Sequence, residues 1–419
     1  MQVLEKDVLS VCSVGKSERG ESVNHDSTGT TSFFKTTFNT VNTLAGVGIM
    51  SIPYAISSGG WLSLIGLLVI ASATFYTGLL IKRCMDVDPS VRSYPDIGAK
   101  AFGRKGRILI SVSIHLELFL IAVGFLILAG DNLHKLLPNL ETNIHGIQIG
   151  GPRSFIILVA LIVLPVIWIN KMTTLSYISA TGVLAYMVIL GSVLWSGLFD
   201  GVGFRQNGVL INWSGLPTAC SLYTMCYHAH SVFPTLYTSS RNHGQFHLVL
   251  LISFLFSTVT YASMAIIGYL MFGSEVQSQI TLSLPTNSYS SKVALFTALI
   301  NPIAKYPLLL KPIVDTIETH FQSYCERKFY RLLLRTILLG ISITIAVALP
   351  YFGYLMSLIG AFFSATASIL LPCICYLKIS QAYRKIGFEL AAIAFIMPMG
   401  LVILLFGTYI SMLQIINSL

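Results

Sequence analysis

NTLAGVGIMSIPYA, Asn42 to Ala55, and CSLYTMCYHAHSVFP, Cys220 to Pro234, are the two stretches that set the architecture of this chain. Each lies within a run apolar enough to span a bilayer, and each carries a helix-disrupting patch in its middle. Lipid offers nothing to pair with bare amides and carbonyls. An interrupted helix therefore survives at membrane depth only where it lines a protein-enclosed cavity. One such helix in each half of a many-span chain points to the binding site of a transporter.

The 419-residue chain is 54% hydrophobic and 10% charged, with a mean hydropathy of +0.75. Soluble domains carry about 25% charged residues, so the composition is that of a membrane protein. The net charge of +9 could suggest nucleic acid. The basic residues instead sit in short loops between apolar runs, as orientation signals do. Residues 1–31 are polar and Ser/Thr-rich, without the apolar core of a cleavable signal, and read as a disordered cytosolic tail. Cys12, Cys84 and Cys325 fall on the cytosolic side and Cys220, Cys226, Cys373 and Cys375 within spans, so no structural disulfide is expected.

A span needs about 20 apolar residues. The sequence predicts eleven: 33–57, 60–83, 108–131, 153–170, 174–199, 214–239, 246–272, 291–314, 332–350, 353–377 and 387–414. Lys82, Arg83, Arg92, Lys100, Arg104, Lys105 and Arg107 follow span two. Lys311, Arg327, Lys328, Arg331 and Arg335 follow span eight, and Lys378, Arg384 and Lys385 follow span ten. The opposite loops hold only Lys135, Arg153, Arg205 and Lys292. By the positive-inside rule the N-terminus is cytosolic and the C-terminus is outside or lumenal. Sliding span one onto span six aligns Pro53 with Pro234. Five spans separate the copies, so they have opposite membrane orientation. The predicted architecture is an all-α polytopic membrane protein: 33–200 as one repeat, 214–377 as its inverted partner, 387–414 as an extra helix, and spans one and six unwound.

In the first interruption the glycines of Ala45-Gly46-Val47-Gly48, followed by Ile49, let the backbone leave helical geometry at little cost. Freed N–H groups at the start of the next half-helix suit a carboxylate, and freed carbonyls at the end of the previous half suit an ammonium. Close helix packing through small residues is the alternative. The Asn42 amide before the patch and Pro53 after it favour a break. In the second interruption, Cys226-Tyr227-His228-Ala229-His230 places a phenol and two imidazoles in apolar surroundings. His228 and His230 either move protons, since imidazole titrates near neutrality, or each bonds a loose carbonyl. Glu117 is the acidic residue expected mid-span and Lys305 the deep basic one. Their similar heights make pairing or functional use the two expectations, with snorkelling a further option for Lys305. No metal-ligand spacing, phosphate-cradling loop or nucleophile set is present, so neither enzymatic activity nor a cofactor is expected.

With these residues in hand, the sequence resembles the plant vacuolar-type transporters of the amino acid/auxin permease family. That family lies in the amino acid–polyamine–organocation superfamily. The resemblance is carried by NTLAGVGIMSIPYA with Gly59-Gly60-Trp61, by YPDIGAKAFG at Tyr94 to Gly103 and by LAGDNL at Leu128 to Leu133. HSVFPTLYTS from His230 and NPIAKYPLLLKP from Asn301 add to it. It implies a five-plus-five inverted-repeat fold with bundle spans one, two, six and seven moving against three, four, eight and nine. Substrate would lie between spans one and six, flanked by three and eight, which would bring Glu117 and Lys305 close. Asn42, Ala45, Gly46, Val47 and Gly48 occupy the family's first break, and Cys226, Tyr227 and His230 match its second. His228 and Ala229 stand where relatives commonly have small residues, which shrinks or polarises the pocket.

The function expected is movement of neutral amino acids driven by a proton gradient, through a monomer in the vacuolar membrane, with no nucleic-acid partner. The plasma membrane is the alternative location. Glu117 comes first for proton coupling, then His228 or His230, with Lys305 as a fixed positive charge. Transport of an auxin-like weak acid, or amino acid sensing without turnover, are the rival functions.

Overall fold

The computed structural model describes residues 29–46, 48–88, 90–138, 142–144, 147–149, 151–168, 182–320, 328–381, 383 and 387–418. Among them eight helices are long and apolar enough to cross a membrane by length and composition, and Arg153–Trp168 is a shorter apolar helix. The first candidate span is split. Helix α1, Phe33–Leu44, starts at Ser32, whose side chain caps it, and α2, Gly48–Gly59, resumes after the glycine patch. Pro53 sits inside α2 and has no N–H for the carbonyl of Ile49.

Helix α3 is Ser63–Val87 and α4 is Tyr94–Leu136. A capping box between Ser93 and Asp96 starts α4, and Gly103, at φ 65°, bends it before the apolar segment begins. Span three of the sequence is thus only the longer part of this element. A small antiparallel hairpin, β1 Thr142–Ile144 and β2 Ile147–Ile149, is a loop ornament on an otherwise helical fold. Next come α5, Pro152–Trp168, and α6, Gly182–Phe199. The beginning of predicted span five lies outside the described residues.

The second split pair is α7, Leu216–Cys226, and α8, Phe233–Ser239, with Pro234 in the first turn of α8. Helix α9 is Phe246–Phe272 and the short α10 is Ile280–Ser283. Helix α11, Tyr289–His320, carries Pro302, Pro307 and Pro312, and α12 is Lys328–Ala348. Helix α13, Phe352–Ser380, widens into π-helix at Ile359–Ser364 and Thr366–Leu370. Helix α14 is Phe388–Ser418.

Packing is densest between α4 and α11, and the split pairs pack on one another and on α9. Helices α2 and α7 lie against one another, and α9 packs on α1, α2 and α3. Buried aromatics fill this centre, including Tyr223, Tyr227, Phe233 and Tyr261, whereas α12 and α14 turn mostly outward. The Gly59-Gly60-Trp61 motif has a backbone task. Gly60, at φ 81°, lets the chain run beside a strap from Val209 to Asn212. Trp61 N–H donates to the Val209 carbonyl at 3.0 Å and Asn212 N–H to Gly59 at 3.0 Å.

At the end of the bundle where α1 begins, the chain before α1 is pinned to α8. Thr31 N–H donates to the Ser239 carbonyl at 2.9 Å, and Arg241 N–H to the Thr31 carbonyl at 2.9 Å. The opposite end holds a cavity of about 780 Å³, lined among others by Tyr54, Asp131, Lys135, Ser278 and Tyr354. Gln279 donates to Asp131 at 2.6 Å beside it, which ties the α10 segment to α4.

Candidate functional site

The two interruptions meet. A Cβ placed on Gly46 would lie 3.0 Å from the Cε1 of His228, and one on Gly48 only 2.5 Å from the Sγ of Cys226 and 3.0 Å from its Cα. Only hydrogen fits at Gly48, and a methyl group at Gly46 would press on the His228 ring. Neither pair of half-helices runs continuously. Helix α1 ends with Ala45 N–H on the Val41 carbonyl and Gly46 N–H on Leu44 at 2.6 Å. Helix α7 ends with Tyr227 N–H on Thr224, and the chain crosses to α8 through turns that place Val232 N–H on Ala229 at 3.0 Å. Val47 lies outside the described residues, so its expected place in the first gap carries no structural statement.

The second gap presents its side chains in different directions. His228 holds its Nδ1 2.6 Å from the Met225 carbonyl. A carbonyl only accepts, so Nδ1 carries the hydrogen and Nε2 is the acceptor, on the ring edge toward Gly46. Tyr227 bonds Thr258 of α9 at 2.8 Å and stacks on Phe254. His230 faces α3 instead. Its Nε2 lies 3.0 Å from the Thr74 carbonyl and 2.9 Å from Thr77 Oγ1, while the Thr77 hydroxyl donates to Ser368 of α13 at 2.6 Å. Ala45 and Ile49 border a small cavity with Tyr186 and Tyr261, of about 10 Å³, room for roughly one water.

Glu117 and Lys305 form no ion pair, contrary to the pairing that similar depth suggested. Glu117 is buried and accepts the Ser364 hydroxyl at 2.6 Å, and that hydroxyl also lies 3.7 Å from the Met225 sulfur. The Lys305 ammonium sits 5.0 Å above the Tyr186 ring. Both it and Asn42 Oδ1 crowd the backbone of Gly182, where a Cβ would collide with them. Height along two helices says nothing about rotation around them. Glu117 turns toward α13 and α7, Lys305 toward α1 and α6.

Sequence reasoning passed over three participants. Ser364 lies in the first π segment and is buried, and such winding is frequent at functional sites. The hydroxyl-rich run Ser364, Thr366 and Ser368 inside an apolar span was its available signal. Thr77 and Tyr261 lie in hydroxyl-containing stretches of long apolar helices, Ser72 to Thr77 and Ser257 to Tyr261, and nothing in those stretches says which hydroxyl reaches a gap.

A family model described as "Transmembrane amino acid transporter protein" matches residues 29–414. The chain belongs to this transmembrane amino acid transporter family. It is a multi-pass membrane protein. It is 51% identical over 402 residues to the Arabidopsis thaliana protein named Amino acid transporter AVT1I, covering 96% of this chain and 99% of the relative. Amino acid transporter AVT1J of the same plant is 53% identical over 383 residues, 91% of this chain and 90% of the relative. Amino acid transporter AVT1B is 42% identical over 400 residues, 95% of this chain and 74% of the relative. The family match begins at residue 29, beside the Thr31 contact with α8, and so takes in the segment that pins the chain before α1.

Proposed function

We propose that the chain is a secondary active carrier that moves neutral amino acids by alternating access, coupled to protons. The observation that carries this is the meeting of the two gaps, Gly46 against His228 and Gly48 against Cys226. Two helix C-termini and the N-terminus of α2 then converge on one place. That N-terminus offers amides and a positive dipole end to a carboxylate, and the C-termini offer carbonyls to an ammonium. Those are the two ends shared by every α-amino acid. Asn42, Ala45, Gly46, Val47, Gly48 and Ile49 form one wall of this site and Cys226, Tyr227, His228 and His230 the other.

Side-chain choice rests on His228, whose ring takes space at the first gap. Proton coupling falls first to Glu117, a carboxyl that is enclosed, hydrogen-bonded and within one residue of the second gap through Ser364 and Met225. His228 and His230 rank behind it, His230 because its ring is engaged with α3. Lys305 serves as a fixed positive charge beside α1. Eleven spans in a five-plus-five inverted arrangement, an N-terminus in the cytosol and residence in the vacuolar membrane complete the reading. Names of relatives as amino acid transporters support the substrate class.

The test is uptake by purified protein in proteoliposomes, screened over the twenty amino acids with imposed proton or sodium gradients. Saturable uptake of neutral amino acids that follows the proton gradient and collapses with a protonophore is expected. Uptake that follows sodium, or no uptake of any amino acid, contradicts the reading.

A further inference from the structure

Tyr261 lies mid-way along α9 and is buried. Its hydroxyl is 2.5 Å from the carbonyl of Leu44 and 3.3 Å from the carbonyl of Cys226. Leu44 is the last residue of α1, and Cys226 is the last residue of α7. Each carbonyl lies at the negative end of a half-helix, and that of Leu44 also accepts the Gly46 N–H at 2.6 Å. One hydroxyl therefore touches the open ends of both interrupted spans. No other side chain among the described residues donates to both.

The rest of that face of α9 serves the same two gaps. Thr258, almost one turn earlier, bonds the Tyr227 hydroxyl at 2.8 Å. The Tyr261 ring stands edge-on to the Tyr227 ring at 5.7 Å. Further along, Gly268 gives room for Pro53, which a Cβ there would meet at 2.6 Å. Two helix ends of like partial charge repel in a low-dielectric interior, so holding them together needs a donor shared between them.

We infer that Tyr261 is a positioning residue, a strut that fixes the two gaps in register so that both address one bound amino acid. This rests on reading the gaps as the amino acid site. The strut makes no contact with substrate in this role. It sets the spacing between the carbonyls of the first gap and those of the second, and it passes a shift of either half-helix end to the other.

The test is Tyr261→Phe in the full-length carrier, reconstituted and assayed with whichever neutral amino acid the wild type transports. Phenylalanine keeps the ring contacts and removes only the hydroxyl. Loss of one buried hydrogen bond predicts a rise in apparent KM of about tenfold, with Vmax per folded carrier changed by less than about twofold. Thr258→Val, which frees only the Tyr227 hydroxyl, is expected to leave KM within about threefold of wild type. Tyr261→His, a second variant with a ring and an N–H donor, should give a KM between wild type and Tyr261→Phe. Amounts are normalised to carrier recovered as a monodisperse peak in detergent. Wild-type KM in whichever variant folds, or failure of both variants to fold, overturns the inference. An absence of amino acid uptake by the wild type would instead sink the transport reading itself.

Discussion

Ser364 donates its hydroxyl to the Glu117 carboxyl at 2.6 Å, across the interface of α13 and α4 and beside the end of α7. A single neutral donor is a modest partner for a carboxylate enclosed by protein. In the proposed coupling role such a group takes up a proton during part of the cycle, and Ser364 lies in π-helix, a winding frequent at functional sites.

Glu117→Gln should separate charge from shape. The new amide oxygen would still accept from Ser364, so the variant is expected to reach the membrane and to exchange amino acid across it. Net uptake should lose its dependence on pH. Exchange and net uptake measured from about pH 5 to 8 check this. A pH profile identical to wild type would remove Glu117 from the coupling role.

His228→Gly removes the ring that lies against Gly46 and opens the gap on that side. The variant should accept bulkier neutral side chains that wild type excludes, with competition by the smallest amino acids weakened. Competition profiles over a size series read this directly. An unchanged profile would show that the ring does not border the substrate.

Gly29 sits on the backbone of Ser239 and Ser240 so closely that any Cβ collides with it. Gly29→Val should break the pairing of Thr31 with Ser239 and Arg241 at the end where α1 begins. A cysteine introduced at buried Ser240 would then react several-fold faster with a membrane-impermeant maleimide. Equal rates with and without the valine would mean that this pairing does not seal that end.

Much of this was legible in the sequence for physical reasons. Gly46, Gly48, Pro53 and Pro234 disrupt helices through their own covalent structure, so the two breaks could be placed before any fold was known. The sequence points to one site shared by those breaks, and the structure sets Gly46 against His228 and Gly48 against Cys226. The Glu117–Lys305 relation did not follow, because apolar helices give little periodic signal from which to read rotation, and each side chain faces a different neighbour. Ser364, Thr77 and Tyr261 act through partners far away in the chain, such as Glu117, Ser368 and Leu44. Their roles appear only when tertiary packing supplies those partners.

The sharpest check on a single site built from two gaps is the binding of a transported amino acid to detergent-purified protein, compared across glycine variants. Gly48→Ala would force its new methyl group onto Cys226, a mismatch of about 1–3 kcal/mol for an overpacked interior. Gly340→Ala, where nothing lies within 4 Å, is the control. Wild type and Gly340→Ala should bind alike, while Gly48→Ala remains monodisperse and loses most of its affinity. A folded Gly48→Ala protein that binds amino acid as tightly as wild type would contradict a site formed where the two gaps meet.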